Sequence, residues 1–63
     1  MEAYQQRVVE EKQALDIKIG ALVPFLGGGK FYALPLDEQA RLTNQLHVMQ
    51  RYSAILGERI AAF

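Results

Sequence analysis

The sequence of 63 residues has no cysteine, no tryptophan and a single histidine, His47. Without cysteine there is no disulfide, and one histidine cannot form a zinc site or a catalytic dyad unless several subunits each contribute one ring. Glu10 and Glu11 are adjacent, so on a helix they point in different directions and do not form a carboxylate pair. We therefore expect no metal, no cofactor and no enzymatic activity.

Net charge of one sign and long apolar runs are also missing. Seven basic and seven acidic side chains give a formal net charge of zero, which provides no long-range field to attract DNA, RNA or an acidic membrane. No run approaches the ~18 apolar residues of a membrane span, and Met1 is followed by Glu2 and Arg7 rather than by a signal peptide. The sequence thus predicts a cytoplasmic protein.

What the chain does have is apolar residues, at 51% of the total. A single domain of this size rarely gains more than ~3–5 kcal/mol from its core, and the usual supplements are disulfides, a metal or self-association. The first two are excluded here, so we expect a homo-oligomer in which copies of the chain cover each other's apolar surface.

Apolar residues recur at steps of three and four along two segments, which is typical of amphipathic helices. The spacing predicts helix 1 at about residues 2–26, a glycine-rich connector at 27–34 and helix 2 at about 35–61, in one domain. So short a connector predicts an all-α hairpin that assembles into a homo-oligomeric helical bundle. The two series are Tyr4, Val8, Leu15, Ile19, Leu22 and Leu26, with Lys12 in a polar slot, and Leu42, Leu46, Met49, Tyr52, Leu56 and Ile60.

The ends of the helices are marked by glycine and proline. Pro24 follows Gly20 by four residues, and we interpret the pair as a kink because glycine leaves room for the proline ring. The glycines at 27–29 predict the end of helix 1 in the left-handed conformation, and Pro35 suits the first turn of helix 2. The same glycines followed by Lys30 do not form a phosphate loop, since no strand precedes them.

Three cations have an acidic residue three or four positions away, which predicts ordinary surface charges: Arg7 with Glu10 and Glu11, Lys12 with Asp16, and Arg41 with Asp37 and Glu38. Four further cations have no such residue on their own helix. Their partners must come from another subunit's carboxylate, from solvent or from a bound anion. A tyrosine such as Tyr4 either packs in an interface or stacks on a nucleobase. The four cations are Lys18, Lys30, Arg51 and Arg59.

Residues along nearly the whole chain form a familiar set: the run Arg7–Lys12, Leu15-Asp16, Lys18-Ile19, Phe25-Leu26, Lys30-Phe31, Gln45-Leu46, Tyr52 and Arg59-Ile60. With these residues the chain resembles the phage anti-CBASS cyclic-oligonucleotide sponges, a family of small proteins that sequester the second messengers of bacterial CBASS immunity. The resemblance implies an all-helical homohexamer in the host cytoplasm that binds cyclic dinucleotides such as cyclic GMP–AMP between protomers. Members also bind cyclic trinucleotides at distinct pockets and degrade neither ligand.

The resemblance also implies roles for individual residues. Tyr4 corresponds to a tyrosine that stacks on a base of the dinucleotide, and Lys18 to a lysine that meets its phosphates. In the trinucleotide pocket Arg59 corresponds to a binding arginine, and Gly20 falls where the family has a small hydroxyl residue, so that contact is missing here. The alternative function is a helical oligomerisation or adaptor module that binds another protein through its apolar flank.

Overall fold

The protein is an antiparallel helical hairpin in a computed structural model that describes all 63 residues. Its elements are α1 (Ala3–Leu26), the single-turn α2 (Gly29–Tyr32) and α3 (Leu36–Ala61), and there is no strand. The hairpin measures 46 × 15 × 13 Å. The prediction of an all-α hairpin with a short connector is confirmed.

The first turn of α1 is fixed by a capping box between Glu2 and Gln5. The backbone N–H of Glu2 donates to Oε1 of Gln5 at 2.9 Å, which satisfies a donor that a helix start otherwise leaves free. At the other end α1 continues through Pro24 to Leu26. Tyr4, in the second helical position, is therefore part of an ordered turn.

The expected left-handed glycine at the end of α1 is wrong. Gly27 has φ −92° and no glycine in the chain has a positive φ. The chain stays right-handed because α2 begins only two residues later, and the N–H groups of Gly27 and Gly28 donate to the carbonyls of Pro24 and Phe25 at 3.2 and 3.1 Å. Short-range bonds of this kind close the helix end without a change of hand.

The connector between the long helices is held by one aromatic contact and one amide. Phe31 of α2 is buried with its ring edge-on to Phe25, at a centroid distance of 6.3 Å. The Gln39 amide donates to the carbonyl of Leu34 at 2.9 Å. Pro35 was expected within the first turn of helix 2. It lies instead at the N-cap position, one residue before α3 begins, because its ψ of 147° is extended.

The core of a single hairpin is thin. Only four residues are buried, three of them apolar: Val8, Phe31 and Leu56. Large apolar side chains remain open on both long helices, including Ile17 with 74% of its surface exposed and Val48 with 67%. The hairpin therefore leaves much of its apolar surface uncovered, as the composition predicted, while its assembly into an oligomer stays a prediction.

Candidate ligand-binding site

An open groove runs along the seam between α1 and α3, with a volume of about 510 Å³. That volume lies within the range of ~300–1,000 Å³ typical of small-molecule sites. Its lining is mostly apolar with two polar side chains, one on each helix, which is also usual for such sites. The lining residues are Lys18, Ala21, Leu22 and Phe25 from α1 and Leu42, Gln45 and Met49 from α3.

Lys18 is the only charged residue of the groove. It is exposed and forms neither a salt bridge nor a hydrogen bond with any other side chain. An ammonium group beside an apolar groove, without a carboxylate to neutralise it, attracts an anion that carries an apolar or flat body. The structure thus places this predicted binding residue at the one groove of the hairpin.

Gln45 lines the same groove from the other helix. Its Nε2 atom lies 3.7 Å from the Met49 Sδ atom, a weak contact because a thioether sulfur is a poor acceptor. The amide oxygen has no partner within the protein. A neutral group that can donate and accept therefore shares the groove with a cation, and sequence reasoning did not single it out.

Tyr4 lies at the opposite end of α1 from the groove. Its ring meets Phe63 edge-on, with 5.9 Å between the ring centroids and 78° between the planes, and 52% of the residue is exposed. Fourteen residues separate it from Lys18, which corresponds to about 21 Å along a helix. Side chains on a helix lean toward its N-terminus, so both lean the same way and the separation remains.

The two residues implied for a trinucleotide pocket are also far apart within one chain. Arg59 lies in the last turn of α3, at the same end of the hairpin as Tyr4 and Phe63, and forms no salt bridge. Gly20 lies in the second half of α1, where an added β-carbon would meet nothing within 4 Å. A single hairpin thus brings neither predicted residue pair together.

The side of the seam away from the groove carries a polar network. Lys12 Nζ donates to Asp16 Oδ2 at 2.8 Å and to Ser53 Oγ at 2.9 Å, and the Ser53 hydroxyl donates to Asp16 Oδ1. Gly57 lies beside this network, where a β-carbon would come to an ordinary contact distance of 3.4 Å from Lys12 Cε. The bonds from Lys12 and Ser53 hold the pKa of Asp16 below its ordinary value.

This network corrects the interpretation of Lys12 as an ordinary surface charge. Its predicted partner Asp16 is present, but Ser53 joins α3 to the pair and is itself buried. The spacing gave no signal for this contact, because the apolar series of helix 2 runs through Tyr52 and does not include Ser53. The other predicted ion pairs divide: Arg41 contacts Asp37 and Glu38, whereas Arg7 forms no salt bridge.

No group of three or more His, Cys, Asp or Glu side chains is placed to hold a metal ion. None of the helices combines the length and the hydropathy that crossing a bilayer requires. The groove with Lys18, and the aromatic pair at the far end of α1, are thus the features that a ligand could use.

The fold and the groove define a small helical-hairpin protein with a ligand-sized site on one side of its seam. The chain belongs to the Sequestin family, whose family model matches residues 2–62. It is 44% identical over 63 residues to a 7.5 kDa protein from the denB-rIIB intergenic region of Enterobacteria phage T4, covering 100% of this chain and 98% of that protein. No solved structure matches the chain. The family name fits a protein that sequesters a partner.

Proposed function

We propose that this protein is a phage immune-evasion protein that binds cyclic oligonucleotide second messengers and thereby prevents activation of CBASS effectors in the host cytoplasm. Its ligands would be cyclic dinucleotides such as cyclic GMP–AMP. The single observation that carries the proposal is Lys18, an ammonium group without a partner that lines the groove of a Sequestin-family hairpin. The family name and the resemblance to cyclic-oligonucleotide sponges support the same function.

The position of Tyr4 supports a site shared between two protomers. A nucleotide does not reach across the ~21 Å that separates Tyr4 from Lys18 along one helix. In a pair of antiparallel α1 helices related by a two-fold axis near Glu11, however, Tyr4 of one protomer lies opposite Lys18 of the other. The base would stack on the tyrosine, and the lysine would hold a phosphate of the same ligand.

A row of residues on α3 supports assembly of the hairpin into an oligomer, the hexamer implied by the resemblance. Val48, Tyr52 and Ile55 follow one another at steps of four and three, and all three are exposed. Such a row is the pattern of a helix–helix seam. A further helix packed against it would come from another chain, since both long helices of the hairpin are already paired, and in this proposal that chain is a second copy of the protein.

Binding alone suffices for this function, and we propose that the protein has no enzymatic activity. A protein that depletes a messenger must bind tightly at low concentration, and a Kd of ~1 nM corresponds to about −12 kcal/mol. Contacts from two protomers around one ligand can reach that value. The trinucleotide pocket at Arg59 would lack the hydroxyl contact that Gly20 cannot provide.

The test is isothermal titration calorimetry of the protein with cyclic di-AMP, cyclic GMP–AMP, cyclic di-GMP and a cyclic triadenylate. We expect saturable heat with at least one cyclic dinucleotide and recovery of the intact ligand after heat denaturation of the complex. No heat and no thermal shift with any of the four would contradict the proposal. A linear dinucleotide serves as the control for the cyclic shape.

The second candidate is an adaptor that binds another protein, and the exposed apolar row of α3 favours it. Lys18→Ala distinguishes the two functions. If the protein binds nucleotides, the substitution weakens their binding and leaves the oligomeric mass unchanged. If Lys18 instead makes a salt bridge between subunits, the same substitution reduces the oligomeric mass.

A further inference from the structure

Besides the Lys18 ammonium group, the groove between α1 and α3 contains an amide, an aromatic ring and a thioether. The Gln45 amide lines the same groove as Lys18, together with the Phe25 ring, 37% exposed, and the Met49 side chain. A phosphate held by Lys18 places the attached nucleoside within reach of these residues. We propose that Gln45 is a specificity-determining residue that reads the base edge of an adenine lying in this groove, an inference that rests on the proposed function.

The apolar part of the groove suits a flat base. Phe25 offers a ring at the edge of the seam, held in place by its edge-on contact with Phe31. Stacking of a base on an aromatic side chain is tolerant of sequence, because every base has a π-face. Phe25 and Met49 therefore retain a base of either purine type, and the choice between purines falls to a polar group.

Gln45 is the polar group available for that choice. Its one contact within the protein is the weak approach to the Met49 sulfur, so the amide is free to turn toward a ligand. A glutamine amide donates to N7 and accepts from N6 of adenine in the same plane, whereas guanine presents two acceptors, N7 and O6, at that edge. The amide oxygen would then face a guanine acceptor without a proton between them.

The chain offers a matched control on the same helix. Gln50 is also exposed and makes no side-chain hydrogen bond, but it does not line the groove. Gln45→Met keeps the length of the side chain and removes both hydrogen-bonding groups. Gln50→Met makes the same chemical change away from the groove. Because both residues are exposed, neither substitution removes a core contact, and circular dichroism and native mass spectrometry of each variant serve as the controls for folding and assembly.

The test measures the affinities of the wild type and both variants for cyclic di-AMP, cyclic GMP–AMP and cyclic di-GMP by calorimetry. We expect Gln45→Met to weaken cyclic di-AMP about tenfold while changing cyclic di-GMP less than about twofold. Gln50→Met should leave the affinities for all three ligands within about twofold of those of the wild type.

Several results would overturn the inference. These are an equal change for the two symmetric ligands, no change with either, or a wild-type protein that binds cyclic di-GMP and neither adenine ligand. In these cases the proposed function still stands, because the wild type binds a cyclic dinucleotide. If the wild type binds none of the three, the proposed function fails, and this inference fails with it.

Discussion

Mixing two inactive variants should restore binding if each site is shared between protomers. Tyr4→Ala removes a stacking contact of ~1–3 kcal/mol per base. Lys18→Ala removes a charge-assisted hydrogen bond of ~1.5–3 kcal/mol. Each change weakens binding by about tenfold to a hundredfold. In a mixed pair, the Tyr4 and Lys18 that remain belong to different chains, and between them they rebuild one complete site.

The fraction of binding sites that recover follows from how the two variants combine into pairs. When equal amounts of the two variants are unfolded together and refolded, about half of the pairs are mixed and each has one intact site, so about a quarter of all sites recover. A labelled cyclic dinucleotide, at a concentration between the affinities of the wild type and the variants, reports that fraction in an equilibrium titration.

A second mixture supplies the control, combining wild type with the double variant Tyr4→Ala, Lys18→Ala. Sites shared between chains again leave about a quarter intact, whereas sites within one chain leave about half. The account therefore predicts equal recovery in the two mixtures. Recovery of about half in the control and none in the first mixture would refute it, and would mean that one chain brings Tyr4 and Lys18 together.

Four further predictions concern the polar network, the apolar row of α3 and the Tyr4–Phe63 aromatic pair. Ser53→Ala should lower the free energy of unfolding by about 0.5–1.5 kcal/mol in urea denaturation, because it removes the hydroxyl that joins α1 to α3, and an unchanged midpoint would contradict this. The pKa of Asp16 is lowered in the folded protein, so the stability that its carboxylate contributes is present above the unfolded pKa of about 3.9 and is lost as the pH falls through the folded pKa. In the Asp16→Asn variant the melting temperature should therefore fall less steeply below about pH 4 than in the wild type. An equally steep fall in both proteins would contradict this role of Asp16. Val48→Lys should reduce the oligomeric mass in light scattering while helicity is retained, whereas an unchanged mass would place the interface elsewhere. Phe63→Ala should weaken nucleotide binding about two- to tenfold by freeing the Tyr4 ring, with rescue by Phe63→Tyr, and equal affinities in all three proteins would argue against that role.

The hairpin could be predicted from the sequence because its information is local. Steps of three and four residues define both long helices, and the short connector allows only a return of the chain. The right-handed backbone conformation of Gly27 could not be predicted, because it depends on α2 starting two residues later rather than on the conformational freedom of glycine. Pairing of Arg41 was predictable from spacing, whereas the same spacing failed for Arg7, where exposed charges have little to gain from a fixed geometry.

The same distinction between local and long-range information applies to the residues of the candidate site. Lys18 was recognisable as a cation without a local partner, and this needs only the residues within one turn. Gln45, Phe25 and Ser53 were not recognisable as site or network residues, because each acquires its role from the opposite helix. The relative rotation of the two helices decides which side chains of α3 face the groove and which face the polar network. The spacing of residues along one helix carries no information about that rotation.

The measurement that tests the central claim most directly is a native mass spectrum of the protein with and without cyclic GMP–AMP. The account predicts a homo-oligomer that retains intact ligand in a fixed ratio to its subunits, with at most one dinucleotide for each shared Tyr4–Lys18 site. A monomer that binds no nucleotide, or an oligomer whose mass does not change when the ligand is added, would contradict it.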